Sequence, residues 1–517
     1  MRTKSLDSIL NDMEALANDL PDHDEDLGID LSGMESFSET VRERYGRHVS
    51  TLEVYIIGRD EMVGAIVCDS DGPTVGPSHG TFVYAENYDG PPLSPSLDYR
   101  QNGRTLELTQ LALGNERYNR DLHSVFEQTL PDDYGTRILS QEIPGYDQAS
   151  ALERLAILSG TKEQGGRLGS FRFVLNTSAA SEFTPLANLP IQGQDALDRV
   201  HSKITAFAHK NAAELQLAGI NFGEDELWAA SCVLGQTPKV IYRSEDGNHY
   251  FAKISATELW KNAAHHSPAI ERATTMAAIN ANITVPDQHL LTFTNGDSIL
   301  MSKRFDIDQE ANAVRYKVAA SVMLDRKKYA RTNYSELMDL VDNHSHQPDI
   351  DRVALFQIMT FNAMANNTDD HAGQIEFMHS KDGWSLAPAF DLVADLRIRA
   401  NEHGNEKLLD HMAVFPSGER SPPNFDGDTR AAGKWYMDQA EILGMDANVA
   451  RDVITQCAVG VAGMAVNLRL CGAPEHAEAA KRVAELTGAL DIARNPELAV
   501  GQKTSMKQNA GPRPSMG

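Results

Sequence analysis

The sequence predicts an α+β protein, with a β-rich first part followed by a predominantly helical second part. Three observations carry this. Apolar and polar residues alternate in two runs, TLEVYIIG (51–58) and EMVGAIVCD (61–69), joined at Arg59-Asp60, which is the period-two pattern of a hairpin. A second pair of strand-like runs, PKVIYR (238–243) and HYFAKIS (249–255), flanks the turn SEDGN (244–248). From about residue 316 onward the apolar spacing becomes helical, ending in small-residue-rich helices between 447 and 493.

The other elements fall in order around these. Residues 1–47 form an acidic extension, with clustered acids in DLPDHDEDLGID (19–30), read as a helix and a solvated linker. TFVYAENY (81–88) and LGSFRFVL (168–175) are strand-like, and a helical period returns at 194–217. Ser267-Pro268 offers an N-cap and a first-turn proline for a helix through about Asn280, and strand-like SILMSKRF (298–305) follows. The expected division is an extension (1–47), a β-rich part (48–305), a helical part (306–495) and a disordered tail (496–517) poor in apolar residues.

Composition narrows the function. A net charge of −26 over 517 residues repels phosphate backbones, which argues against direct non-specific binding of DNA or RNA. A bound nucleotide stays compatible, because a local lysine cluster or a metal reverses the sign in one cleft. Cys68, Cys232, Cys457 and Cys471 are scattered without metal-ligand spacing and read as reduced thiols. The N-terminus lacks the apolar core of a secretion signal, and no apolar run is long enough to span a bilayer. The expectation is a cytoplasmic protein with no membrane contact.

The densest chemistry lies in MANNTDDHAGQIEF (364–377), where a helical apolar pattern ends in two amides, two carboxylates and an imidazole. A cap needs one such residue. A strand (375–378), a turn (381–383) and Trp384-Ser385-Leu386 follow, and then APAFDLVAD (387–395) brings Asp391. Helix, aspartate loop, hairpin, second aspartate is the order that phosphoryl transfer from ATP requires, with one carboxylate for the hydroxyl proton and oxygen ligands for Mg²⁺. In protein kinases the metal-binding amide stands five residues after the loop base; here that position is Gln374. Upstream, Lys253 sits in an apolar strand and Glu271 falls in the first turn of the helix capped at Ser267, as a phosphate-binding lysine and its glutamate partner would. SCVLGQTPK (231–239) carries Gly235 and Lys239 just before a strand and would suit a loop over phosphates. Each residue alone has a plainer account: turn and cap residues at Asn367, Asp369 and Asp370, a bracing hydrogen bond for His371, an edge-strand lysine, a first-turn acid. Five features in one chain order favour the shared chemistry. A metal-dependent phosphohydrolase built on Asp369, Asp370 and His371 would leave Lys253 without a role.

At these residues the sequence resembles the HipA family, the kinase toxins of bacterial type II toxin–antitoxin pairs. NTDDHAGQIEF (367–377) with SLAPAFDL (385–392) is similar to the family's N-x-DDH-x-x-N and L-x-P-x-YDL, and SCVLGQTPK to its phosphate loop. MSKRFD (301–306) resembles the hinge, and DGPPLSPSLDY (89–99) and LPDDYGTRIL (130–139) the first subdomain. The resemblance implies a protein-kinase-like two-lobed fold, with a β-rich N-terminal lobe and an all-helical C-terminal lobe. It implies phosphorylation of serine or threonine with ATP and Mg²⁺, with Asp369, Asp391 and His371 catalytic and Asp391 and Gln374 on the metal. Lys253, Glu271, Gly235, Lys239, Ser302 and Lys303 would bind ATP. Family substrates include aminoacyl-tRNA synthetases, and the usual partner is a small helix-turn-helix antitoxin that makes the operator contacts. The chain departs from the pattern at three places: Gln374 stands for the metal-binding Asn, Gly373 for a Lys, and Cys232 for an autophosphorylated serine. Gln is one methylene longer than Asn, and octahedral Mg²⁺ tolerates that poorly. No regulatory autophosphorylation is expected at position 232.

Overall fold

The computed structural model describes residues 49–59, 61–69, 79–103, 105–107, 123–131, 135–136, 139–140, 154–155, 170–174, 194–209, 239–255, 267–293, 297–310, 313–326, 330–400, 406–408, 425 and 428–499. The extension 1–47, Gly235 and Cys232 with the rest of 231–238, and residues 500–517 lie outside them.

The first alternating runs pair as expected. β1 (Val49–Ile56) and β2 (Met62–Asp69) form an antiparallel hairpin, turning Leu52, Val54 and Ile56 inward. β3 (His79–Tyr84), β4 (Thr105–Glu107) and β5 (Phe171–Val174) complete a five-stranded sheet in the order β4-β3-β2-β1-β5. Phe82, Phe126, Phe171 and Phe173 fill its covered face with tilted and edge-on ring contacts.

After α1 (Gln194–His209) comes a second antiparallel sheet, built from β6 (Lys239–Arg243), β7 (His249–Ser255) and, beyond α2 (Pro268–Asn280), β8 (Gln288–Thr292) and β9 (Ser298–Lys303), in the order β6-β7-β9-β8. Its two faces have different tasks. Val240, Tyr242, Tyr250, Ala252, Ile254 and Ile299 pack on Ala196, Leu197 and Val200 of α1. The intervening residues Lys239, Ile241, Phe251, Lys253, Leu300 and Ser302 share the other face through cross-strand pairing.

The chain continues through the short pair β10 (Ile307–Asp308) and β11 (Ala313–Val314), then β12 (Lys317–Ala319), α3 (Tyr334–His344), α4 (Pro348–Ala365), the hairpin β13 (Glu376–Ser380) and β14 (Gly383–Leu386), and a second short pair, β15 (Ile398–Ala400) and β16 (Glu406–Leu408). Helices α5 (Thr429–Ile442), α6 (Ala447–Ala462), α7 (Met464–Leu470), α8 (Ala477–Leu486) and α9 (Ala489–Arg494) close it. The second part is therefore not all-helical. The hairpin needs a partner for the open edge of β13, and β12 supplies it, with Lys317 Nζ donating to both Glu376 carboxylate oxygens at 2.7 and 2.6 Å.

Three further expectations change. The apolar core does not follow the division at 305: the five-stranded sheet and the helices from α2 onward share one continuous cluster, while the four-stranded sheet keeps its own with α1. Tyr316 marks the seam, its ring on Phe171 and its hydroxyl donating to the Leu93 carbonyl at 2.5 Å. The stretch Ala447–Leu470 is long and apolar enough to cross a membrane, contrary to the sequence reading, and half of it is buried within the protein against α2 and α4, as a core helix is. Residues 496–499, expected to belong to the tail, form a 3₁₀ turn with Ala499 fully buried. Finally, α6 crosses α2 at Gly460, where a Cβ would fall 2.3 Å from the Ala277 carbonyl oxygen.

Candidate functional site

Helix α4 is stopped by Asn366, which takes the left-handed conformation (φ 54°, ψ 46°) that asparagine tolerates. The backbone N–H groups of Asn366 and Asn367 both return to the Asn362 carbonyl. The loop beyond sends its two aspartates in opposite directions. Asp369 faces outward with 53% of its side chain exposed, its carboxylate accepting from Gln374 Nε2 at 2.9 Å and its own N–H donating to Asn367 Oδ1 at 3.2 Å. Asp370 turns into the core and accepts from the Tyr334 hydroxyl at 2.8 Å. His371 is buried; its Nδ1 accepts from the Gly373 N–H at 3.1 Å, which places the neutral ring's proton on Nε2, 3.9 Å from Asp369 Oδ1. Asp395 ties this loop to the segment after the hairpin, accepting from Thr368 Oγ1 at 3.2 Å, while its N–H donates to the Asn366 carbonyl and its own carbonyl accepts from Asn366 Nδ2. Arg397 clamps the same carboxylate.

The second half of the site is an ion cluster. Lys253 Nζ donates to Glu271 Oε2 at 2.6 Å and to Asp391 Oδ1, and Lys239 Nζ lies 3.7 Å from Asp391 Oδ2. Local sequence explains how each arrives. Lys239 and Lys253 are direct cross-strand partners, an arrangement that repels unless carboxylates lie between them. Ser267 caps α2 by accepting from Ile270 N–H at 3.2 Å, which brings Glu271 to the first turn and over the sheet. Asp391 itself takes a left-handed conformation, at φ 58°. Such conformations are uncommon outside glycine and are borne best by Asp and Asn.

Charges follow from this packing. Burial opposes the Lys253 ammonium, but Asp391 and Glu271 outweigh it and raise its pKa. Burial would raise Asp391, yet Lys253 and Lys239, helped by His371, hold it well below the usual carboxylate range. Glu271 is pushed upward by burial, against the pull of Lys253. Asp370, which has no cation, is pushed up to about 7 by burial, with the hydrogen bonds from Tyr334 and Asn362 opposing.

Of the residues singled out in the sequence, Lys239, Lys253, Glu271 and Asp391 converge, and Asp369, His371 and Gln374 form one connected loop. Ser302 shares the face of Lys253, with its Oγ accepting from Gln288 Nε2 at 3.0 Å. Lys303, one residue on, points its side chain to the opposite face, and its N–H donates to the Asp287 carbonyl. Asp369, Asp370 and His371 do not converge as the ligands of a phosphohydrolase would, because Asp370 is turned away. Asn362, Tyr334 and Asp395 were missed by the sequence reading. Asn362 carried a signal: it is an amide on the apolar face of α4 that Leu355 and Met359 define. A cleft beside the loop is lined by Asn362, Asn367, Asp370, Gln374, Pro388 and Leu392.

A strand lysine held by a helix glutamate and bound to an aspartate that follows a hairpin, with an exposed aspartate in the loop before that hairpin, is the constellation of a kinase-like protein. Residues 52–168 match the HipA N-terminal domain and residues 231–463 the HipA-like C-terminal domain. The chain belongs to the HipA family. It is similar in fold to HipA from the Shewanella oneidensis MR-1 toxin–antitoxin complex of HipA, HipB and operator DNA, at 15% identity and TM-score 0.56, covering 87% of this chain and 99% of that one. It also aligns with the Helicobacter pylori proinflammatory kinase CtkA at 14% identity over 46% of this chain and 92% of that one, where a TM-score of 0.29 carries no argument. No curated protein matches in sequence.

Proposed function

We propose that this chain is an ATP- and Mg²⁺-dependent protein serine/threonine kinase of the HipA toxin type, with a protein-kinase-like two-lobed fold. Its substrate class is a translation-related protein such as an aminoacyl-tRNA synthetase. What supports this most is the convergence of Lys253, Glu271 and Asp391, brought from a strand, a helix and a loop across 18 and 138 residues of chain. Lys253 and Lys239 set two ammonium groups on one sheet face where they can bind phosphate oxygens, and Glu271 fixes the first of them. Asp369 keeps an exposed carboxylate to orient a substrate hydroxyl and take its proton. His371 steadies that carboxylate from beneath.

The residues that would hold a magnesium ion are Asp391 and Gln374, with Lys253 and Lys239 on the Asp391 oxygens in this structure. Asp391 and Gln374 offer oxygen donors; the Gln374 amide nitrogen is turned to Asp369, which leaves its oxygen for a cation. Among the described residues no three His, Cys, Asp or Glu side chains converge on one point, so further ligands would come from phosphate oxygens and water, as is usual for this ion. When bound, Mg²⁺ supplies neutralisation of charge on the phosphates. The partner that fits best is a small helix-turn-helix antitoxin of the HipB kind, with DNA reached only through it, in keeping with a net charge of −26 and a cytoplasmic setting.

A second reading, a kinase-like module that acts through its partner without catalysis, draws on one contact. Gln374 and Asp369 bind each other, so the amide in the metal position and the candidate base are mutually engaged. Transfer of γ-phosphate from labelled ATP, by wild type, Asp369→Asn and Gln374→Asn at graded Mg²⁺, separates the two. The kinase reading expects wild-type transfer that falls by about 10²–10⁴-fold in Asp369→Asn while nucleotide binding is kept. An inert wild type that gains transfer in Gln374→Asn would establish the module instead.

A further inference from the structure

Four polar side chains are withdrawn from water behind the loop, and together they hold one that is not. Tyr334, Asn362, Asn367 and Asp370 are each at most 2% exposed, whereas Asp369 keeps about half of its side chain in solvent. The bonds among them run in one line. Tyr334 Oη donates to Asp370 Oδ2 at 2.8 Å, and the Asn362 amide donates to the same carboxyl. Asn362 Oδ1 accepts from Asn367 Nδ2 at 3.2 Å, and Asn367 Oδ1 accepts from the Asp369 N–H at 3.2 Å. The Asn362 backbone carbonyl also receives the N–H groups of Asn366 and Asn367.

The first and the middle member of the line are fixed independently. Tyr334 opens α3 directly behind a complete capping box, in which Asn333 Oδ1 accepts from the Glu336 N–H and Glu336 accepts from the Asn333 N–H. Asn362 stands in the last turn of an eighteen-residue helix. Burying polar groups is unfavourable unless every one is satisfied, and an apolar cluster of the same volume would fill this space at lower cost. The one exposed product of the network is where the Asp369 backbone sits.

We infer that Asn362, Asp370 and Tyr334 are positioning residues for the Asp369 carboxylate, acting through Asn367. The inference rests on the kinase reading for its effect on rate, and it has a readout that does not. It concerns α3 and α4, outside the residues that would touch nucleotide, and it makes the loop geometry a property of the core.

The test compares full-length wild type with Tyr334→Phe, Asn362→Leu, Asp370→Asn and Asp370→Ala by two measurements. Amide hydrogen exchange should quicken by about tenfold at residues 367–371 in Tyr334→Phe and Asn362→Leu, with the body of α4 still protected. In phosphoryl transfer, kcat should fall by about a hundredfold with the KM for ATP unchanged, as expected when a reacting group is misplaced and binding is not. Asp370→Asn, which keeps an acceptor for Tyr334 in the same volume, should retain most of kcat, and Asp370→Ala should not. Unchanged exchange at 367–371 in Tyr334→Phe would overturn the inference, whatever Asn362→Leu does to folding. Faster exchange spread evenly over α4 and the loop would also overturn it, since that is a stability effect alone. If exchange quickens as expected in a protein that transfers no phosphate, the positioning stands and the kinase reading fails.

Discussion

Asp370 and Asp391 lie on the two segments that build the site, one in the loop after α4 and one in the segment after the hairpin, and their acidities move in opposite directions. Asp370 is wrapped in neutral donors and its carboxyl is pushed up to about 7. Asp391 lies against two lysines and is held far below its usual range, although it too is largely covered, with 22% of its side chain exposed. Burial acts on both with the same sign, so the difference comes from the counter-charge that only Asp391 has. One segment therefore stores a fixed charge at neutral pH, and the other stores a group that can change state there.

Removing the counter-charge should break this contrast. Lys253→Met leaves Glu271 and Asp391 as buried carboxylates with only Lys239 beside them, so Asp391 should come to resemble Asp370, with a raised pKa. Loss of one partner from a buried pair costs about 3–5 kcal/mol, which urea unfolding at pH 7 would register, and phosphoryl transfer should disappear. Unchanged stability would mean that the cluster is open to solvent.

The other side of the contrast is a matter of pH. Asp370 has a folded pKa above its unfolded value near 3.8, so the native state binds the extra proton between about pH 4 and 7. Stability from this group is full below that window and drains as the pH rises through it, by at most about 4 kcal/mol. Asp391, lowered, contributes fully above its unfolded value and loses its contribution only in acid. Lys253, raised, loses its contribution only above its ordinary range near 10.5. From pH 5 to 8 Asp391 and Lys253 are thus level, whereas Asp370 slopes downward. Asp370→Asn should remove that slope, so the difference in melting temperature between variant and wild type should shift steadily in the variant's favour from pH 5 to pH 8. A constant difference across that range would place the Asp370 pKa elsewhere.

The smallest effect sharpens the comparison. Lys239→Gln takes the more distant cation from Asp391 and should cost about 1 kcal/mol of stability, with roughly tenfold weaker ATP binding by calorimetry. A loss as large as that of Lys253→Met would make the two lysines equal partners.

How far these arrangements could be read from the sequence depended on whether the signal was local. The cap at Ser267, the register of Lys253 in an alternating strand, the break at Asn366 and the five-residue step from Asp369 to Gln374 are encoded within a few neighbours, and their placements agree with the structure. The hairpin at 375–386 was legible in the sequence, against the all-helical lobe that the resemblance implied, but the third strand of its sheet, Lys317–Ala319, is too short to show alternation. The direction of Asp370 depends on Tyr334, 36 residues away, and on the inner face of α4, which no local spacing reports. Ser302 and Lys303 were both named from the resemblance of MSKRFD to the hinge, yet adjacent strand residues face opposite ways. The stretch at 447–470 was read as small-residue-rich helix, and its apolar length is interrupted in sequence by Arg451, Asp452, Gln456 and Asn467.

Gly460 has a consequence of its own for control. In protein kinases the helix that bears the paired glutamate is often a lever, and activation consists of bringing it in. Here that helix is held from behind: α6 meets it without room for a methyl group, and Asn467 Nδ2 donates to the Ala273 carbonyl at 3.3 Å. Glu271 has no withdrawn position to move to unless two helices part. The lysine–glutamate pair is thus braced from behind, so any movement of Glu271 has to carry α6 and α7 with it.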